Sequence, residues 1–428
     1  MIRTVVACIV IACAAWSAAV VSSAQFDDSP FDLEHPAIAY STRRTTTVVD
    51  ALNTRVQSGQ VALPYDDATG HLKPILDALN IGVNSQIVVF SKTSLQSRLI
   101  QPRNPRVIYF NDSVVVAWVR GGFIEIAAHD PAQGAVFYRV LRATAGPPAM
   151  FRDNSCLGCH NAFATLNVPG FLVKSVPSAV DGSGLPWLGN YLTDHRSAIT
   201  ERWAGWFVTG RAGSSRHLGN APVVDRNSDD VKIEDANLNI ADLRSRFDTS
   251  GYLSPHSDIV ALLVFNHQLR MMNLLTRIGW QARTLMHEGR NEAAIATALR
   301  DLAIETVDYM LFVDEAPLSG VSGTSGFAES FRARGPRDSK GRSLRDFDLK
   351  QRLFTHPCSY MIYSEAFEQL PAPAKRAIYT RLWDVLSGGE RAPKYVRLSA
   401  NDRDRVVEIL RETKKDLPAS FSPRPSRP

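Results

Sequence analysis

The sequence predicts an α+β protein. An N-terminal antiparallel β-meander region leads into the segment Cys156-Leu157-Gly158-Cys159-His160, and a mainly helical C-terminal half follows. Three observations carry this prediction. Between Gln86 and Leu141, short runs of β-branched and aromatic residues alternate with Gly, Pro, Asn and Asp, the pattern of strands joined by tight turns. From Ser254 onward, apolar residues recur every three or four positions, the period of helices with one buried face. The two patterns meet in a middle stretch that begins with the cysteine segment.

The chain opens with Met1-Ile2-Arg3, runs apolar from Val5 to Val21, and then offers Ser22-Ser23-Ala24 before Gln25. One positive charge, an apolar stretch and a small-residue exit read as a secretory signal peptide over residues 1–24. The apolar stretch is short for a span of about 20 residues. Cys13, after Val10-Ile11-Ala12, only weakly matches a lipoprotein cleavage box. Removing Arg3 lowers the formal net charge of +5 by one, to +4, spread along the chain. That balance does not argue for nucleic acid and is compatible with an acidic redox partner. No other long apolar run occurs, so no membrane span is expected in the mature chain.

Residues 25–85 read as an irregular segment with short helices at Thr46–Ser58 and around Leu76–Leu79. Residues 86–235 read as the β-rich domain. Its strands are expected at Ile87–Phe90, Val107–Phe110, Val114–Val119, Phe123–Ala127 and Val136–Leu141, with a turn at Asp130–Gly134. A further strand is expected at Val168–Val173 and a helix at Ala198–Phe207 carrying Trp203 and Trp206. The glycine-bracketed stretch Thr209–Asn220 reads as a flexible loop. Residues 236–418 read as the helical domain. Ser254-Pro255 is a good helix start, and Val260, Val264, His267, Met271, Leu274 and Ile278 share one stripe of a helix reaching about His287. Further helices are expected at Asn291–Phe312, Ala374–Leu386 and Ala400–Asp416. Residues 317–345 read as a long loop and 419–428 as a disordered tail.

C-x-x-C-H is the pattern for covalent attachment of a c-type haem. Two thiols two residues apart can each add to a vinyl group on one edge of the porphyrin, and the adjoining imidazole can then bind the iron. Cys156 and Cys159 are therefore the expected attachment points for haem c, and His160 the expected proximal axial ligand. Other readings are a redox disulfide, half of a zinc site, or chance. A zinc site needs about four ligands, and the only other cysteine after residue 24 is Cys358. A thioredoxin-like disulfide belongs to a βαβ context, which is not the pattern here. Export and the motif support each other, since c-type haem is attached outside the bacterial inner membrane. The expected location is the periplasm or the exterior.

The ligand on the other side of the iron separates electron carriers from open haem sites. No methionine occurs between His160 and Met271, a departure from class I cytochromes c. The candidates are His217 in its loop, the pair His267 and Met271 on the helical stripe, His195, and Met150. Of these His217, in the setting that looks most mobile, is the leading distal candidate. Motif placement after the last strand resembles haem-bearing PAS-like sensor domains, where a sheet backs the haem.

Several phrases resemble a class of large secreted bacterial proteins with one cytochrome c motif. They are Glu201-Arg202-Trp203-Ala204-Gly205-Trp206, Arg216-His217-Leu218-Gly219-Asn220, Leu253-Ser254-Pro255-His256-Ser257-Asp258 and His356-Pro357-Cys358-Ser359-Tyr360. The resemblance covers most of the mature chain, implies a cytochrome c domain-containing protein, and names no substrate; only Cys156, Cys159 and His160 carry over. The expected function is a periplasmic monohaem c-type cytochrome passing single electrons to an unidentified redox partner. The alternative is an open-site haem protein, a peroxidase-like enzyme or small-ligand sensor, in which Arg216 and His217 act on a bound peroxide.

Overall fold

The computed structural model describes residues 31–141 and 146–422. The expected signal peptide and Cys13 lie outside these residues. Two short helices, α1 (Val48–Gln57) and α2 (Leu72–Ala78), precede the sheet. α1 starts where Thr47 and Asp50 satisfy each other's backbone N–H groups in a capping box.

The strands are β1 (Ile87–Val89), β2 (Arg106–Phe110), β3 (Val114–Val119), β4 (Ile124–Asp130), β5 (Gly134–Val140) and β6 (Met150–Arg152). They form an antiparallel meander in which sequence neighbours pair, as expected. The motif turn, α3 (Leu157–His160), follows β6 directly. A separate two-stranded ribbon pairs β7 (Lys174–Ser175) with β8 (Tyr191–Leu192). β9 (Trp206–Phe207) then returns to pair with β1, completing a seven-stranded sheet.

Side-chain alternation gives the sheet two different faces. Val107, Tyr109, Val116, Trp118, Ile126, Tyr138 and Met150 face α1 and α2. Ile87, Ile108, Phe110, Ala117 and Phe137 face the C-terminal helices. Chief among these is α4 (Ile259–His287), buried on nearly every side, including all six residues of the expected stripe. A helix apolar all round belongs in the middle of a core. α4 packs against β5, α5 (Glu292–Met310), α6 (Phe327–Ala333), α7 (Glu365–Glu368) and α8 (Ala372–Leu386). α9 (Ala400–Thr413) packs on α8. One apolar cluster runs from β1 to Phe421, so sheet and helices share a core.

Five expectations need correction, the first being the start of α4, which is capped by Asp258 and not by Ser254. Residues 198–207 form a 3-10 turn, Ile199–Glu201, followed by β9; Trp203 at φ 68° and Gly205 at φ 79° lie in the left-handed region, which ends any helix. Residues 168–173 form no strand. The side-chain amide of Asn273 stands in for a strand partner, accepting the Phe171 N–H at 2.8 Å and donating to its carbonyl at 2.7 Å. Within the expected long loop, Phe327 and Phe331 are buried on α6. In the expected disordered tail, Phe421 is buried against Trp383, with ring centroids 5.0 Å apart; residues 423–428 lie outside the described ones.

Candidate haem-attachment site

The motif is fixed to the sheet before any cofactor is considered. The Asp153 N–H donates to the carbonyl of Phe137 on β5 at 2.9 Å. The Asp153 carboxylate caps the following turn, accepting from the Ser155 N–H at 3.0 Å and its hydroxyl at 2.7 Å. Leu157 packs with Phe31, Ile38, Tyr40, Val168 and Trp280. One helical turn then separates Cys156 from Cys159, which puts both thiols on the same side. Cys156 is half-buried and Cys159 exposed, and both are free thiols. A Cβ placed on Gly158 would meet nothing within 4 Å, so the space beside the turn is open.

His160 is held at both ends. Its carbonyl accepts the Gly170 N–H at 2.8 Å, and its Nδ1 lies 2.8 Å from the Gly170 carbonyl. A carbonyl can only accept, so Nδ1 carries the proton and Nε2 keeps its lone pair. Burial holds the imidazole below its ordinary pKa, hence neutral. A ring whose second nitrogen is fixed by a carbonyl is the usual preparation of a metal-ligating histidine. The ring also lies 4.8 Å from that of Phe137.

Burial, reinforced by Asp153 and Glu125, pushes the Cys156 thiol up to about 12. A redox-active CxxC needs the opposite shift, a lowered thiol pKa. For the zinc reading, the described residues contain no group of three or more His, Cys, Asp or Glu able to hold a metal ion. Two thiols on one side of a turn, an oriented neutral imidazole and open space beside Gly158 fit a covalently attached haem.

The distal candidates lie in other surroundings. His217, expected in a mobile loop, is 1% exposed; its Nδ1 accepts the Gly219 N–H at 3.1 Å and its ring meets Trp203 edge-on at 5.5 Å. Arg216 points outward instead, to Asp235 at 2.7 Å. The two therefore do not form the side-by-side pair that the peroxide reading needs. His195 and His267 share a hydrogen bond between their Nδ1 atoms at 2.8 Å, and His267 Nε2 lies 2.7 Å from the Ser359 hydroxyl. Met271 is core, and Met150 packs on the opposite face of the sheet.

Residues near the motif that sequence reading did not single out are Asp153, Gly170, Arg106, Glu125 and Arg139. Arg139 Nε contacts Asp153 at 2.6 Å, and Arg106 pairs with Glu125 at 2.7 Å. A charged residue in each of the mostly apolar strands β2, β4 and β5 was the available signal. No protein family model matches the chain, and no curated protein or solved structure matches it either. No described helix is long and apolar enough to cross a membrane.

Proposed function

We propose that this chain is an exported bacterial c-type cytochrome with a single covalently bound haem, acting in one-electron transfer in the periplasm with a partner protein. The observation that carries the reading is the motif with its histidine oriented: Cys156 and Cys159 on one side of a turn, and His160 neutral with Nδ1 bound to the Gly170 carbonyl. Bound haem supplies a one-electron Fe(III)/Fe(II) couple. The protein's own contribution is to anchor the ring through two thiols, present Nε2 in a fixed direction, and exclude water with Leu157 and Phe137.

A second reading, an open-site haem protein of peroxidase-like or sensor type, is favoured by one observation. His217, His195, His267, Met271 and Met150 are each engaged in buried contacts of their own. Both readings share the attachment site and differ in the sixth ligand.

Acid-acetone extraction and a visible spectrum test the proposal. Protein from a host with cytochrome c maturation should keep one haem on the polypeptide. The double variant Cys156→Ala, Cys159→Ala should lose it. A colourless wild-type protein overturns the proposal. Immediate carbon monoxide binding by the reduced protein moves the function to the open-site reading.

A further inference from the structure

The face of the sheet beside the motif is not apolar throughout. Strand register sets Ile87, Ile108, Ala117, Glu125, Arg139 and Phe151 side by side across β1 to β6. The first three belong to the core or its edge, yet the row turns ionic at Glu125 where it approaches the motif. From the neighbouring row on β2, Arg106 reaches Glu125 at 2.7 Å, with the two side chains only 18% and 17% exposed. The Ser94 hydroxyl donates to the other Glu125 oxygen at 2.9 Å, while the buried Nε of Arg106 has no partner. Next to Glu125 in the row, Arg139 is a half-exposed cation on Asp153. Removing two charges from water is costly, and an apolar pair of similar volume is often no less stable. Fold stability alone therefore gives little reason for this pair. Arg139 lies two residues from Phe137 along β5, on the same face and opposite Glu125, and the Phe137 ring packs on that of His160 at 4.8 Å, so the ionic row stands next to the histidine.

The geometry points to a role at the cofactor: the Arg106–Glu125 ion pair sets the electrostatic environment of iron held by His160, with Arg139 as an outer cation. This rests on the haem reading. Ferric iron carries one more positive charge than ferrous iron. A carboxylate nearby therefore favours the oxidised form and lowers the reduction potential, and a guanidinium does the reverse. In a partly desolvated site these effects are weakly screened.

The test is the reduction potential of the full-length haem-bearing protein and of Glu125→Gln, Arg106→Gln and their double variant. Glu125→Gln should shift the potential upward, Arg106→Gln downward, and the double variant should fall between them. Arg139→Gln, at a more exposed position tolerant of change, should also shift it downward and serves if an inner variant does not fold. Potentials equal to that of the wild type, or two single variants shifting in the same direction, overturn the inference while the haem reading stands. A wild-type chain without covalent haem overturns both.

Discussion

At the scale of single residues, the three cysteines among the described residues illustrate how environment decides chemistry. Cys156 is half-buried and Cys159 exposed on one turn. Cys358 is fully buried, and burial alone pushes its thiol up to about 12. The thiolate is the reactive species, so a neutral, enclosed thiol is inert. The native haem-bearing protein should therefore show no rapid reaction with a thiol reagent, and denaturant should release one reactive thiol. Rapid labelling of the native protein would contradict this. The proposed attachment roles of Cys156 and Cys159 rest on the sequence, because CxxCH carries its chemistry in its spacing. It could not show the acceptor for His160, since Gly170 is a backbone partner whose side chain says nothing. Nor could it show that His217 is buried: flanking glycines suggest freedom, but the Trp203 ring packs against its imidazole.

At the scale of elements, α4 starts later than the Ser254-Pro255 signal suggested. Its N-cap is Asp258, a fully buried carboxylate. One oxygen accepts the Val260 and Ala261 N–H groups, at 2.8 and 3.2 Å. The other accepts the Thr324 and Ser325 N–H groups and the Ser325 hydroxyl, at 2.7 to 2.9 Å. A Cβ on Gly323 would lie 2.5 Å from that carboxylate, so the loop can approach only with glycine there. Asp258→Ala would strand these donors and release the loop from the helix. It should destabilise the protein by about 2–4 kcal/mol in denaturant unfolding; a loss under about 0.5 kcal/mol would contradict this account. Local signals placed most strands and helices correctly because periodicity is a property of neighbouring residues. They failed at 198–207 and 168–173 because left-handed residues in one case and the Asn273 amide in the other replace the regular pairing. The cap of α4 failed similarly: half of its partners lie more than sixty residues away.

At the scale of the whole molecule, one core spanning the sheet and the helices encloses several ionisable groups, and their sum fixes how stability depends on pH. Burial holds His129 and His217 at about 4 and His267 at about 3, and His195 well below its ordinary value, through burial and then His267. In the unfolded chain each takes up a proton near 6.5. Between 6.5 and about 4 the unfolded state binds protons that the folded state refuses, so this stability is present above 6.5 and is lost as the pH falls. Glu315 acts in the opposite sense: burial raises its carboxyl to about 7, so its folded form holds a proton that the unfolded chain releases near 4.5. Its contribution falls as the pH rises from 4.5 to 7. Four imidazoles outweigh one carboxyl, so the net trend is loss of stability on acidification. Melting temperature should drop as the pH is lowered from 7 to 4.5. In His217→Asn, which keeps an acceptor for the Gly219 N–H, the melting temperature should fall less, and the unfolding free energy lost over the same range should be smaller by up to roughly 3 kcal/mol. A melting temperature that stays flat or rises on acidification would show that these imidazoles are not held neutral by the fold.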